Sequence, residues 1–232
     1  MIKQLIILFS IIFLSSTPQR NIHERWSIEL NKFVDDKGGV NYVKWKENTL
    51  GIDAYIEVLK KNHPENHWNK NEIMSYWINT YNALTIKLIL NNYPTNSIRN
   101  LKNPWSIKVI NFDSKAYSLD EIEHDILRKM GDPRIHFAIN CASISCPNLS
   151  NTAYFSYKIN DQLDNATNIF LNDLNKNEIT KNEIRISKIF LWFKKDFGGN
   201  KNLINFINKY SLIKTENPKV KYLPYDWNLN VQ

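Results

Sequence analysis

Trp26, Leu30, Phe33 and Val34 recur at the spacing of one helical face, the signature of an amphipathic helix. Gly38-Gly39 breaks the pattern, and residues 40–43 read as a short extended piece. Residues 50–59 predict a second helix and residues 61–70 a polar loop. From 71 to 92, Trp77, Tyr81, Leu84 and Leu88 form one stripe, with Ile78, Ile86 and Ile89 on a neighbouring stripe. An apolar face that wide predicts a helix buried on most sides, ended by Pro94. Asn79 and Asn82 share one side of it. A buried amide without partners costs roughly 1–3 kcal/mol. The pair therefore clamps neighbouring backbone or, on a functional reading, one amide orients a catalytic group or donates to a substrate carbonyl.

Residues 107–112 alternate enough for a strand. Ser118 and Glu121 match a capping box, and the helix it opens stops at Gly131, with Asp132-Pro133 as a turn. Ile122 and Ile126 face inward. Glu121 with His124, and His124 with Arg128, stand close enough along the helix to touch. One Glu-x-x-His falls short of the paired motifs of metal-binding bundles, so no metal is expected. Residues 134–141 (RIHFAINC) predict a strand by composition. Alternation then puts Phe137, Ile139 and Cys141 on one face and His136, Ala138 and Asn140 on the other. A Cys141–His136 pair would need a bulge or an early end to that strand. Further on, Leu163, Ala166, Ile169, Phe170 and Leu174 predict a helix, residues 178–187 a small hairpin and residues 189–193 a short aromatic helix. Leu203, Ile204 and Ile207 predict a last helix, and residues 220–227 an extended segment tied down by Tyr222, Tyr225 and Trp227. Many helices with scattered strands point to the α+β class: a single globular domain over residues 21–232, with several helices packed on a small mixed or antiparallel sheet.

The 232 residues fit one domain, and a chain of that size buries roughly 70% of its unfolded surface. A hydrophobic share of 43% excludes collagen-like and wholly disordered chains. Thirty Lys and Arg against 23 Asp and Glu leave a net charge of +7. The cations are scattered, no block of five or six like charges occurs, and 33 asparagines accompany them. The excess thus reads as a general Asn/Lys/Ile enrichment, and no nucleic-acid partner is expected. Attraction to an anionic envelope or acidic glycan stays open. At the N-terminus, Lys3 precedes an apolar run from Leu5 to Leu14, interrupted only by Ser10 and followed by Ser15 and Ser16. That order predicts a signal peptide over residues 1–16. The run is shorter than the roughly 20 residues of a comfortable span, although an uncleaved anchor competes. A signal implies a periplasmic or secreted protein that meets the membrane only transiently through this segment. It also places the cysteines in a disulfide-permissive compartment.

YWINTYNAL (76–84), SLDEIEHDILR (118–128), PRIHFAINCASISCPNL (133–149), IFLWFKKDF (189–197) and YDWNLN (225–230) occur in this order. Together they resemble the family catalogued as domain of unknown function 547, over most of residues 70–230. The resemblance implies a bacterial exported or enzyme-like domain with no settled reaction; related domains also occur in plant multidomain proteins. Residues 21–70 carry little of the signature.

Cys141 and Cys146 are the only cysteines, and three readings compete. A disulfide suits an exported chain with an even count. Five extended residues span roughly 17 Å, against about 4.4–6.8 Å between bridged Cα atoms, so the intervening ASIS loop would have to fold back. Two buried structural thiols are the second reading. The third is a nucleophile with a lowered pKa, completed by a base and an orienting group. Candidates are Cys141 or Cys146 as nucleophile, with His136, Asn79, Asn140, Glu123 and His124 around it. A metal held by His136 and both cysteines lacks a fourth ligand and matches no usual zinc spacing; no cofactor is expected. A buried helix with small polar residues, followed by a strand opening with His, is similar to papain- and transglutaminase-like thiol enzymes. In those the nucleophile heads the helix. Here no Cys does so at residues 75–79, so either the nucleophile has moved to the SISC segment or the scaffold is used without thiol chemistry. The weighed functions are an exported thiol-dependent hydrolase or acyl-transferase on peptide or cell-envelope amides, and a non-catalytic envelope binding or structural module with a Cys141–Cys146 disulfide.

Overall fold

The computed structural model describes residues 22–112 and 115–232; the expected signal segment lies outside the described residues. Among these residues no helix is long and apolar enough to cross a membrane. Helices α1 (Glu24–Phe33), α2 (Tyr42–Glu47) and α3 (Leu50–Lys61) pack around α4 (Lys70–Asn92). A capping box of Asn69 and Glu72 opens α4. Every residue from 74 to 86 is buried, as the doubled apolar stripe requires. The extended piece expected at 40–43 shrinks to Val40, which bridges Val34 and Val231. The Asn41 side chain accepts the Lys44 N–H and so starts α2 instead.

Strand β1 (Lys108–Phe112) pairs antiparallel with β2 (Lys115–Ser118). The expected capping box follows: Glu121 N–H donates to Ser118 Oγ at 3.2 Å, and Ser118 N–H donates to Glu121 Oε2 at 2.8 Å. The helix it opens is π-wound over Glu121–Leu127 and closes at Gly131, where φ is 73°. Such wide turns are frequent at functional sites. Glu121 pairs with Lys108, while Arg128 Nη1 lies 3.1 Å from His124 Nδ1.

The expected strand at 134–141 is not formed. Pro133–Phe137 is a 3₁₀-helix, because Pro133 suits a first helical position and Asp132 Oδ1 accepts the Arg134 N–H at 3.0 Å. The apolar composition there records burial of Ile135, His136 and Phe137, not extension. The alternation argument that separated His136 from Cys141 therefore lapses.

Helix α5 (Ile159–Asn172) buries Leu163, Thr167, Phe170 and Leu171; Ile169 and Leu174, expected on its stripe, are exposed. The hairpin of β3 (Glu178–Ile179) and β4 (Glu183–Ile186) forms as expected, and β5 (Lys219–Tyr222) joins β4 in parallel. Helices α6 (Ile189–Trp192) and α7 (Gly199–Tyr210) complete an α+β single domain. Its apolar residues form two clusters, one around α4 and one around Phe137, Phe170, Phe190 and Phe197. Residues 135–139 join them, with Ile135 and Ala138 in the first and Phe137 in the second.

Candidate active site

The site is built at that seam. Asn82 Nδ2 donates to Ala138 O at 2.9 Å, and Asn140 N–H donates to Asn82 Oδ1 at 2.9 Å. One amide of the buried helix thus holds the strandless segment in place. Asn140 then ties both ends of the cysteine loop: its Nδ2 donates to Pro147 O and its Oδ1 accepts the Ala142 N–H, each at 2.7 Å. Ala142 adopts φ 59°, a left-handed conformation that costs a non-glycine residue stability and tends to cluster at functional sites. Cys146 N–H closes the turn on Ser143 O at 3.0 Å. The loop folds back as the span arithmetic demands, and the two sulfurs, both free thiols, meet at 2.7 Å. Cys141 N–H also donates to Cys146 Sγ at 2.9 Å.

The C-terminal segment locks against this turn through Ile144 N–H to Asn228 O at 2.8 Å and Asp226 N–H to Ser145 Oγ at 2.8 Å. Tyr225 Oη is thereby set 3.4 Å from Cys141 Sγ, and Ser143 Oγ lies 3.1 Å from the same sulfur. The hydrogen bond from Cys146, aided by those from Ser143 and Tyr225, pulls the Cys141 thiol below its ordinary pKa despite burial. Burial and the adjacent Cys141 charge push Cys146 well up. Of the pair, Cys141 is therefore the thiol that ionises first, while Cys146 keeps its proton.

Cys141 faces a cavity of about 260 Å³ shared with Cys146, Glu123, His124, His136 and Tyr81. Glu123 projects from the π-helical turn and is almost fully buried. Burial, then the Cys141 charge, pushes its carboxyl up to about 8, so it is protonated at neutral pH. Tyr81 Oη lies 3.4 Å from Glu123 Oε2. His136 Nε2 donates to Asp196 Oδ2 at 2.8 Å, and the ring stacks on Phe193 with centroids 4.0 Å apart. Burial holds His136 below its usual pKa against the opposing pull of Asp196. Asp196 also takes bonds from Arg128 Nε and Nη2 at 2.6 and 2.8 Å. Burial works against its charge, yet Arg128 and His136 hold the carboxyl below the usual carboxylate range. The Asp196 contact fixes the proton on Nε2. Nδ1 is left as a buried lone pair, 3.9 Å from Glu123 Oε1 and without a hydrogen-bond partner.

Of the seven sequence candidates, Asn140 is spent on tying the cysteine loop and five line one cavity, with His124 half-exposed. Asn79 does not: it clamps the Tyr154 backbone at 2.7 and 2.9 Å. His136 turns its bonded nitrogen to Asp196, and among the described residues no hydrogen bond joins it to either sulfur. Nor is any group of three His, Cys, Asp or Glu among them placed to hold a metal ion. The nucleophile-headed helix and strand-borne histidine of papain-like enzymes are not the arrangement here, since His136 sits on a 3₁₀-helix and both cysteines in a turn. Asp196 and Tyr225 were missed from sequence, although both lie inside the motifs at 189–197 and 225–230.

Fold and cavity together define an α+β domain that gathers a thiol pair, a buried carboxyl and a carboxylate-bound histidine around one hollow. The sequence model of the family described as protein of unknown function, DUF547, matches residues 65–171, and that region belongs to the family. The match takes in α4, Glu123, His136 and both cysteines. No curated protein and no solved structure matches the chain.

Proposed function

We propose that this protein is a thiol-dependent hydrolase or acyl-transferase acting on peptide or cell-envelope amides, with Cys141 as nucleophile. The observation that supports it is the meeting of a hydrogen-bonded Cys141, a buried protonated Glu123 and the lone pair of His136 in one cavity. Here the thiolate is generated by donors from Cys146, Ser143 and Tyr225 rather than by an imidazole. Cys141 Sγ attacks the amide carbon. Glu123 gives its proton to the departing nitrogen, the C–N bond breaks and a thioester remains. Water or another acceptor then attacks the thioester and yields its proton to the Glu123 carboxylate, returning the thiolate. Asp196, fixed by Arg128, positions His136 and keeps Nδ1 open toward the reacting groups. Export through a leader at residues 1–16 is part of this reading.

A second reading, an envelope module with a Cys141–Cys146 disulfide, is favoured by the turn that brings the two sulfurs into contact. Iodoacetamide labelling across pH, read by mass spectrometry on Cys141→Ser and Cys146→Ser variants, separates the two. The enzyme reading expects Cys141 to label fast, with a midpoint below the ordinary thiol pKa of about 8.5, and expects Cys146→Ser to raise that midpoint. Slow labelling of both reduced thiols with no pH dependence below about 8, or a native bridge that resists mild reductant, would sink it.

A further inference from the structure

One wall of the cavity is aromatic. Trp192, Tyr225 and Trp227 meet at centroid distances of 4.8, 4.6 and 5.7 Å, and Trp105 continues the wall 5.7 Å from Trp227. Trp192 is 45% exposed, so this wall faces solvent at the mouth. Asp120 adds a half-exposed carboxylate, of which Oδ2 accepts from Ser106 at 3.2 Å. Although the chain carries 30 Lys and Arg, none lines this cavity among the described residues. Cations near it are already engaged: Arg128 is bound by Asp196, Lys176 donates to Cys146 O at 2.7 Å, and Arg99 lies 5.4 Å from the Trp227 ring centroid. Arg99 also shows that this wall accepts a cation. The site therefore presents ring faces and the Asp120 carboxylate, 3.9 Å from His124 Nε2, with no Lys or Arg among its lining residues, a combination that favours cations.

A second observation narrows the cation. His136 Nδ1 is a buried lone pair with no partner, on a ring that lines the same cavity. It accepts from a hydrogen-bond donor, which a quaternary ammonium lacks. We propose that the cavity receives a primary alkylammonium group, held by Asp120 and the rings of Trp192, Tyr225 and Trp227, as the amine acceptor that takes the acyl group from Cys141. The transfer step rests on the thiol reading above; the binding step does not. In the transfer, the ammonium gives one proton to the Glu123 carboxylate left by acylation and one to His136 Nδ1. The nitrogen bonds to the acyl carbon, the C–S bond breaks, and its electron pair returns to Cys141 as thiolate. The product is a new amide, and His136 passes its proton to water.

The test titrates the full chain at neutral pH and fixed ionic strength with n-butylammonium chloride, n-butanol, tetramethylammonium chloride and N-acetylglucosamine. Tryptophan fluorescence and calorimetry report binding. Saturable binding of n-butylammonium is expected, about tenfold tighter than n-butanol, with Asp120→Asn and Trp192→Leu each weakening it about five- to tenfold. Asp120 is half-exposed, so its variant reports even if Trp192→Leu perturbs folding. Bound n-butylammonium is also expected to slow alkylation of Cys141. Equal affinity for butanol, tetramethylammonium binding as tightly as n-butylammonium, or tighter binding of N-acetylglucosamine overturns the proposal. The same titration on Cys141→Ser separates the two claims. Ammonium binding beside an unreactive Cys141 removes the acyl chemistry alone, whereas a reactive Cys141 without ammonium preference removes this inference alone.

Discussion

Replacing Glu123 by Gln asks whether the buried carboxyl carries a proton. Folding moves the Glu123 pKa from 4.5 to about 8. Between those values the native state binds a proton that the unfolded chain has released, so stability falls as pH rises. The contribution is fully present below about 4.5 and gone above about 8. At about 1.4 kcal/mol for each tenfold change in proton affinity, the limit is roughly 5 kcal/mol. Relaxation and water entry around the charge reduce the expectation to about 2–4 kcal/mol. Gln keeps the shape and still accepts from Tyr81, but it does not ionise. Urea unfolding followed by tryptophan fluorescence at pH values from 5 to 9 is expected to show near-equal stabilities at the acid end. Glu123→Gln should become progressively more stable than the native chain on the alkaline side. Because the Cys141 charge is the second cause of the shift, the same comparison in a Cys141→Ser background should level off at a lower pH and a smaller total, since removing a neighbouring negative charge eases ionisation of the carboxyl. A stability difference that stays constant from pH 5 to 9 refutes the protonated carboxyl and with it the general-acid role.

Three further outcomes follow from the geometry. Burial pulls His23 down to about 3, so its contribution is present above about 6.5 and lost as pH falls toward 3; His23→Gln should flatten the acid limb of the unfolding curve. Asn82→Ala leaves Ala138 O and the Asn140 N–H without their partner. It should cost about 2–4 kcal/mol in chemical denaturation and slow Cys141 labelling, and a loss under about 0.5 kcal/mol would deny the clamp. Tyr225→Phe removes one donor to Cys141 and should raise the labelling midpoint by about half to one pH unit without unfolding the protein.

Features set by near neighbours were legible in the sequence. The 3.6-residue spacing located α1, α3 and α4, and the doubled stripe of α4 announced a helix buried all round. Ser118 and Glu121 are three residues apart, so their capping box needs no distant partner. Asn79 and Asn82 were readable as buried amides needing backbone partners, though not which backbone. Other features depend on contacts far along the chain. Residues 134–141 have strand composition, but among the described residues no strand lies beside them to complete the pairing; the Asp132 cap and burial against two clusters make them a 3₁₀-helix and a loop. His136 finds Asp196 sixty residues later, and Cys141 finds Tyr225 eighty-four residues later. A local pattern names side chains that require burial or a partner. Packing alone chooses the partner, because the energy of a buried charge, lone pair or thiolate depends on everything that surrounds it.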